Sequence, residues 1–371
     1  MQIVKLEKKK AIGTLYSWVC ITAIFIMAVG CKKHSEAVFP ENETLPMEVK
    51  TGATKLRASV ILDSYDFVRA KAFYVYRDSI MVIVNNPSND YDFLELYNLN
   101  SHKLIKSFLK KGNGPGEMLN VSPFKNDAEL LMRDFVKRNL YIVDLDAAVS
   151  KPDYRVPAPL KYGDTMGSPF VSKLDEKRLI MLNPYYFVNK SLGIDNKEPR
   201  FIFSEIGRPI NKPLDKSDKY YAYNVSQGML VVNKGKDRLV YASSDYAEIE
   251  IYDCSLNPLT RIEGPDEIIP SYRLDTDKSI CYNKVIPYSY MDIAYTEEYL
   301  YLCYIGDYFG RNDKLTDLCT YILKFDWDGH YLDSFDTGHY VDALSVGANA
   351  VLYGSGYDDD GTRVLWRLER E

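Results

Sequence analysis

Hydrophobic and polar residues alternate with a period of about two along most of this 371-residue chain after residue 50, which is the pattern of half-buried β-strands. A short apolar segment, often preceded by charged residues, occurs six times. The six segments are DSIMVIV (78–84), KRNLYIVD (137–144), EKRLIML (176–182), KDRLVYA (236–242), EEYLYLCY (297–304) and NAVLYGS (349–355). Amphipathic helical periodicity is missing from the same region, so the sequence predicts an all-β fold.

A second strand and a turn follow most of these segments. Examples are FLELYNLNSHKLIKSF (93–108), EIEIYDCSLNPLTRI (248–262) and YILKFDWDGHYLDSF (321–335). In each example alternating apolar residues lead into an Asp, Asn or Gly turn, and Asp328-Gly329 is a strong hairpin signal. The repeating unit is therefore an antiparallel meander.

The spacing of the repeats suggests how these meanders are arranged. Successive repeats begin 39 to 61 residues apart, and a unit of about 50 to 55 residues suits a four-stranded propeller blade with long loops. Six copies predict a six-bladed β-propeller over residues 51–371. To close the ring, KLRASVIL (55–62) should pair with the last blade, which ends in RVLWRLE (363–369). A two-domain β-sandwich protein is the alternative.

The first 30 residues have the features of an export signal. Four lysines (Lys5, Lys8, Lys9 and Lys10) precede the apolar run AIGTLYSWVCITAIFIMAVG, as in a secretory signal peptide. AVGC (28–31) resembles a bacterial lipobox, although Ala28 stands where leucine is usual, so Cys31 is the predicted lipidation site. The run is also long enough for an uncleaved signal-anchor. Residues 31–50 lack a strand or helix period, which predicts a lipidated cysteine followed by a flexible tether.

Charge and cysteine content narrow the function classes. Without residues 1–30, the chain keeps 42 basic and 51 acidic side chains, a net charge of −9. No long basic run follows the N-terminus, so nucleic acid is not an expected partner. Cys254, Cys281, Cys303 and Cys319 have no CxxC spacing, which favours free thiols and leaves a single disulfide open.

The most distinctive short motif is GNGPGE (112–117). A phosphate-binding Walker A loop needs Lys-Ser/Thr after its last glycine and a helix behind it, whereas Glu117-Met118 follow here. Glycine reaches positive φ and proline fixes φ, so the motif suits a sharp turn of defined direction. We therefore expect Gly112, Gly114, Pro115, Gly116 and Glu117 to form a structural turn between the first and second blades.

These features together resemble a known family. The lipobox-like cysteine, the G-x-G-P-G-E motif after the first predicted blade and the weak blade repeats are similar to those of the TolB-like six-bladed propeller lipoproteins of anaerobic gut bacteria. The resemblance covers essentially the whole mature chain, and only GNGPGE is specific within it. It implies a lipid-anchored propeller in the cell envelope, on the periplasmic or surface side of the outer membrane, and no catalytic residues.

Candidate catalytic chemistry is sparse. The four histidines (His34, His102, His330 and His339) do not have metal-ligand spacing, and the acidic sequences DWDG (326–329) and DDDG (358–361) lack the distal glutamate of a calcium loop. No G-x-S-x-G motif occurs. The sequence predicts no metal, cofactor or catalytic residue, although a propeller enzyme could assemble acids from separate blades.

Aromatic clusters are the best functional signal. Tyr185, Tyr186, Tyr308 and Phe309 fall in predicted connections of blades three and five, and exposed aromatic faces suit sugars or peptides. The alternative is that these rings pack between blades. The sequence therefore predicts a non-catalytic binding or assembly module that is tethered to a membrane and recognises a protein or glycan. An enzyme acting on an exported carbohydrate or lactone is the alternative.

Overall fold

β-Strands make up most of the chain that the computed structural model describes. The described residues are 39–62, 70–85, 92–126, 128–161, 170–174, 178–183, 186–195, 198–207, 228–268, 272–274, 280–282, 285–310, 313–347 and 350–371. Within them no helix is long and apolar enough to cross a membrane. The predicted signal peptide and Cys31 lie outside this part of the chain.

The strands are β1 (Glu41–Thr44), β2 (Thr54–Leu62), β3 (Ala70–Tyr76), β4 (Ile80–Asn85), β5 (Leu94–Asn98), β6 (Leu104–Phe108), β7 (Ser122–Asn126), β8 (Glu129–Asp134), β9 (Asn139–Asp144), β10 (Leu160–Lys161), β11 (Phe170–Lys173), β12 (Arg178–Asn183), β13 (Tyr186–Asp195), β14 (Glu198–Gly207), β15 (Gly228–Asn233), β16 (Arg238–Ser243), β17 (Glu248–Tyr252), β18 (Pro258–Glu263), β19 (Tyr272–Leu274), β20 (Ile280–Tyr282), β21 (Val285–Tyr295), β22 (Tyr299–Gly310), β23 (Tyr321–Asp326), β24 (Tyr331–Asp336), β25 (Tyr340–Val346), β26 (Leu352–Tyr357) and β27 (Arg363–Arg370). The helical elements are α1 (Glu48–Thr51), α2 (Leu145–Ser150) and a 3-10 turn (Leu315–Asp317).

These strands form six blades. Blades 1 to 5 are the antiparallel meanders β3–β6, β7–β10, β11–β14, β15–β18 and β21–β24, and blade 6 contains β25, β26, β27 and β2. First strands of neighbouring blades contact one another, for example β21 with β25 and β25 with β3, so they line the centre of the ring. The prediction of an all-β, six-bladed propeller is confirmed.

The ring closes as the sequence predicts. β2 pairs antiparallel with β27, from Leu56↔Arg370 to Leu62↔Leu365. The start of β2 also pairs in parallel with β24 of blade 5. A strand from the beginning of the described chain therefore completes blade 6 and also pairs with the last two residues of β24 at the edge of blade 5.

The segment before β2 is ordered on the propeller, which differs from the flexible tether predicted through residue 50. β1 pairs in parallel with β18 as a fifth strand of blade 4, and α1 contacts β24. Phe39, Leu45 and Val49 are buried. These three apolar residues are too few to give a strand or helix period, so the sequence pattern did not reveal them. We call residues 39–62 the N-terminal strap.

The predicted repeats match the strands, with one exception. Five of the six apolar segments correspond to the second strand of a blade, whereas KRNLYIVD (137–144) corresponds to β9, the third strand of blade 2. The second strand of blade 2 is instead β8, with the sequence ELLMRD. This substitution of one strand for another explains the uneven spacing around blade 2.

Tyrosine fills much of the space between blades. Several of the largest fully buried side chains are tyrosines, namely Tyr141, Tyr241, Tyr252, Tyr290 and Tyr304. The rings of Tyr290 and Tyr304 lie 4.9 Å apart in the apolar cluster that joins blades 4 and 5. The tyrosine content of the sequence therefore reflects inter-blade packing as well as surface.

Candidate binding site between blades 5 and 6

The first two strands of blade 5 extend beyond the third. β21 pairs with β22 as far as Val285↔Gly310, whereas the pairing of β22 with β23 ends at Tyr304↔Tyr321. Residues 305–310 of β22 therefore have only β21 as a strand partner in the described structure. We call residues 285–288 and 307–310 the blade 5 ribbon.

The ribbon carries two of the aromatic residues that the sequence singled out. Tyr308 and Phe309 lie at the end of a strand rather than in a connection, and both are half-buried. They face opposite sides because neighbouring strand residues alternate. The Tyr308 hydroxyl is 3.5 Å from the carbonyl of Glu267, whereas the Phe309 ring is 5.8 Å from the ring of Tyr288.

Tyr185 lies outside the described residues. Tyr186 is the first residue of β13 in blade 3. The described structure therefore places Tyr186 on blade 3 and Tyr308 and Phe309 on opposite faces of one blade 5 strand, and it does not join them in a single cluster.

Blade 6 completes the site next to Phe309. Tyr340, at the start of β25, is cross-strand from Tyr357 of β26, and their rings lie 6.1 Å apart. Tyr288, Phe309 and Tyr357 pack against the apolar cluster that contains the buried Tyr340. The site is thus an aromatic cluster built from the same ends of strands in two neighbouring blades.

An ion pair lies beside these rings. Both Nη atoms of Arg363 donate to the Asp342 carboxylate, at 3.0 and 2.8 Å, and the guanidinium lies 5.3 Å from the centre of the Tyr357 ring. Such a two-pronged pair has a fixed geometry. The Asp342 side chain is 20% exposed and that of Arg363 9%, so the carboxylate is the more accessible partner.

Burial dominates the protonation behaviour of the site. It raises the pKa of Asp342, although the Arg363 charge opposes the shift. It also raises the pKa of Tyr288 and of Tyr340, and the nearby Asp342 charge adds to both shifts. The tyrosines therefore stay protonated near neutral pH and remain hydrogen-bond donors.

A second ion pair spans the centre of the ring. Nζ of Lys125, on β7 of blade 2, lies 3.1 Å from Oδ2 of Asp292, on β21 of blade 5. The Asp292 carboxylate also accepts a hydrogen bond from the backbone N–H of Leu344, at 2.7 Å. Lys125 in turn donates to the Leu344 carbonyl and lies 4.6 Å from the centre of the Tyr74 ring. This pair ties together blades on opposite sides of the centre.

The other ends of the first strands border two adjoining cavities. Their volumes are about 610 and 320 Å³, Glu129 and Tyr295 line both, and together the walls include residues of all six blades. Lys173 pairs with Glu129 at 2.8 Å, and Arg77 pairs with Asp146 at 2.7 Å. These pairs connect neighbouring blades and hold the cavity walls in place.

The GNGPGE loop connects blades 1 and 2, and its glutamate folds back on its glycines. The backbone N–H of Gly114 donates to Oε2 of Glu117 at 2.6 Å. A Cβ at position 112 would overlap this carboxylate, and one at position 114 would lie 2.9 Å from it. Gly116 has a φ of +75°, in the region that favours glycine. Positions 112 and 114 therefore need glycine because of the close Glu117 carboxylate, and position 116 favours glycine because of its positive φ. Pro115 lies exposed between Gly114 and Gly116.

Side chains of blade 2 hold this loop in place by hydrogen bonds to the backbone of the loop and of the residues that follow it. Nζ of Lys137 donates to the carbonyls of Gly114 and Glu117, at 3.1 and 2.6 Å. Asp134 accepts from the backbone N–H of Leu119 at 2.6 Å. A phosphate cradle presents several N–H groups to an anion, whereas this loop presents carbonyls to a lysine. The geometry fits a turn that joins two blades.

The remaining candidates for chemistry have ordinary local roles. No group of His, Cys, Asp and Glu that could hold a metal occurs among the described residues. The acidic turns bind their own backbone: Asp326 accepts from the N–H groups of Asp328 and His330. Burial raises the pKa of the Cys319 thiol to about 12 and that of the buried Cys303 well above its usual range, so neither thiol ionises near neutral pH.

The blade 6 half of the site was not found from the sequence. The four residues of this half are dispersed over 24 positions of the sequence, namely Tyr340, Asp342, Tyr357 and Arg363. The cross-strand pairs Tyr340↔Tyr357 and Tyr357↔Arg363 bring them together in the blade. Register follows from the turns and the hydrophobic pattern of a blade. A blade-by-blade alignment of strand ends could have revealed this group.

Solved structures share this fold at low sequence identity. A Bacteroides fragilis protein described as exported gives a TM-score of 0.53 with 13% identity, over 89% of this chain and 99% of that one. A member of the DUF4221 family from Bacteroides vulgatus gives 0.52 with 12% identity, over 86% and 98%. No curated protein matches the sequence significantly. The sequence profile of the TolB-like 6-blade propeller-like family matches residues 57–349, and the chain therefore belongs to that family.

Proposed function

We propose that this protein is an exported, membrane-tethered and non-catalytic propeller that binds a partner in the bacterial cell envelope. The observation that carries the proposal is the cluster of Tyr288, Phe309 and Tyr357 beside the Asp342–Arg363 pair. Aromatic rings with one polar end are frequent in binding sites, and binding sites lie where rigid elements present side chains at a surface. The tightly paired strands β21, β22, β25 and β26 provide that rigidity.

The expected location rests on the N-terminus and on similar proteins. The N-terminus has the parts of a lipoprotein signal in the expected order, which are basic residues (Lys5 to Lys10), an apolar run and then AVGC. The Bacteroides fragilis protein of the same fold is described as exported. We infer that Cys31 carries the lipid and that the propeller is held at a membrane of the cell envelope.

The partner experiment is a pull-down from cross-linked membranes with the tagged full-length protein. Replacing Phe309 and Tyr357 by alanine together should weaken partner recovery while the melting temperature shifts by only a few degrees. A large loss of stability, with recovery falling only in proportion to folded protein, would assign these rings to the core, because truncating a packed aromatic costs about 3 to 5 kcal/mol.

A propeller enzyme is the second candidate, and Asp342 is the observation that favours it. Its pKa is raised by burial, and a carboxylic acid with a raised pKa can act as a general acid. Turnover of a glycan or lactone by the purified protein, abolished by Asp342→Asn with the fold intact, would establish this function in place of binding.

A further inference from the structure

Two surfaces of opposite charge lie on the same face of the propeller, and one of them belongs to the blade 5–blade 6 site. We infer that these surfaces pair between two copies of this chain, so that the partner bound at the site is a second molecule of the same protein. The inference rests on the proposed binding function and names the partner.

The first surface is formed by a turn of blade 2 and the loop beside it. Phe135 and Val136 occupy the tip of the turn between β8 and β9, where polar residues are usual, and they are 50% and 55% exposed. Asp134 fixes the turn by accepting hydrogen bonds from the backbone N–H groups of Val136 and Lys137. Lys137 in turn donates to the GNGPGE loop. Exposed apolar side chains that are grouped on a rigid turn are typical of a contact surface.

Cations surround this apolar tip. Lys110, Lys111 and Arg138 are exposed. The carboxylates of the same segments are turned inward, because Glu117 accepts a hydrogen bond from the loop backbone at 2.6 Å and Asp134 is buried. We call residues 110–117 and 135–138 the basic surface.

The second surface is the exposed part of the blade 5–blade 6 site. Its exposed charged residues in the described structure are Asp307, Asp313, Lys314, Asp317, Asp359 and Asp360. Asp307 lies on the same side of β22 as Phe309, since alternate residues of a strand share a side. Ile286, which is cross-strand from Phe309, is 38% exposed. This group, which we call the acidic surface, therefore combines excess negative charge with an exposed apolar side chain.

Both surfaces lie on the face of the ring at which the first strands begin. In an antiparallel meander the turn between the second and third strands lies at that end, as does the loop from the preceding blade. A two-fold axis within the plane of this face places the basic surface of each copy on the acidic surface of the other, which forms two equivalent contacts at once. Each chain has a net charge of −6, so two copies need such local attraction to associate.

Sedimentation velocity of the purified full-length protein in detergent micelles measures this self-association. A dimer is expected at micromolar concentrations. Lys110→Glu with Lys111→Glu should weaken dimerisation by about tenfold or more, which is about 1.4 kcal/mol. Asp359→Lys with Asp360→Lys should weaken it similarly, and Phe135→Ser should do so without any change of charge.

A mixture of the two charge variants separates pairing of the surfaces from general damage. Each variant alone brings like charges together, whereas an equimolar mixture should form a heterodimer, because each new glutamate pair then meets a new lysine pair. The matched control is Lys234→Glu with Lys236→Glu, at exposed positions of the turn between β15 and β16 on the opposite face. It makes the same change of charge and should leave the dimer intact. Melting temperatures show that all variants are folded.

The inference is wrong if the protein is monomeric at every concentration, if the change at Lys110 and Lys111 leaves the dimer intact, or if the mixture of charge variants stays monomeric. Binding of a monomer to phosphatidylglycerol vesicles that Phe135→Ser abolishes would assign the basic surface to a membrane instead. If the protein is monomeric while another protein is still recovered from membranes through Phe309 and Tyr357, the proposed binding function stands and self-association alone is wrong.

Discussion

Lys125 and Asp292 lie on opposite sides of the propeller and meet at its centre, with Nζ 3.1 Å from Oδ2. Their side chains are 19% and 21% exposed, so each is largely removed from water. Lys125→Ala leaves Asp292 without its cation, and removing one partner of such a pair costs more than removing both. We expect a loss of about 2 to 3 kcal/mol in the free energy of unfolding.

A double-mutant cycle with Asp292→Ala, followed by urea unfolding, measures this coupling. The control is Arg57→Ala, which breaks a pair with Glu369 whose side chains are 68% and 36% exposed, and which should cost under about 1 kcal/mol. Equal losses of unfolding free energy in Lys125→Ala and Arg57→Ala would show that the central pair stabilises the protein no more than an exposed surface pair does.

Lys50 should anchor the N-terminal strap. Its ammonium lies 3.1 Å from Asp266 and 5.5 Å from the centre of the Tyr321 ring. The Tyr304 hydroxyl donates to the same carboxylate at 2.8 Å. Lys50→Ala should lower the free energy of unfolding by about 2 kcal/mol and speed hydrogen exchange in β1. Lys55→Ala, on an exposed position of the same strap, is the control; protection of β1 that is identical in both variants would contradict the prediction.

The GNGPGE loop should respond to alanine in two different ways. Gly116→Ala places a side chain in open space at a φ of +75° and should cost about 1 kcal/mol. Gly112→Ala forces the Glu117 carboxylate away and breaks its bond to Gly114, so it should cost more. ATP should leave the melting temperature unchanged. Stabilisation by ATP would require a nucleotide site in place of the structural turn.

Lipidation is expected at Cys31. Cys31→Ala should abolish labelling with a fatty-acid probe and release the protein from membranes, because the variant lacks the thiol that the lipid would occupy. Cys20→Ala, within the apolar run, is the matched control and should keep the label. Unchanged labelling of Cys31→Ala would mean that another residue is the anchor.

His330 should titrate above its usual range. Its hydrogen bond to Asp326, at 2.8 Å, raises the pKa above 6.5. Burial would raise the pKa of Asp326, but the hydrogen bonds from His330 outweigh it and lower that pKa below 3.8. The stabilising effect of His330 is therefore full below about pH 6.5 and disappears as pH rises through the raised pKa.

Titration of His330 by NMR checks this, since the chain has only 4 histidines. Asp326→Asn should return the His330 pKa toward its ordinary value. Asp359→Asn, at an exposed acidic turn, should not change it. A His330 pKa at or below the ordinary value in the unmodified protein would contradict the pairing.

The sequence predicted the repeating part of this protein well. Period-two alternation and turn residues identified five second strands, and the pairing of 55–62 with 363–369 followed from the need to close a ring. The sequence did not reveal contacts between residues that are far apart along the chain and meet only in the folded structure. β1 has four exposed residues and no alternation, so its order comes from Leu45, Val49 and Lys50 docking on distant blades. Lys125 and Asp292 are 167 residues apart, and no local pattern links them.

The composition of blade 6 also means that this blade can complete its folding only after the other blades. Blades 1, 2, 3 and 5, and the four-stranded meander of blade 4, each take their strands from one continuous stretch and can form while the rest of the chain is still being made, whereas blade 6 needs both β2 and β27. Its last strand, β27, ends at Arg370, whereas β2 ends at Leu62. Pairing across so long a stretch is slow, and until it happens both strands present open edges that can aggregate. A chain that stops before β27 therefore remains an open ring, however well its first five blades have formed.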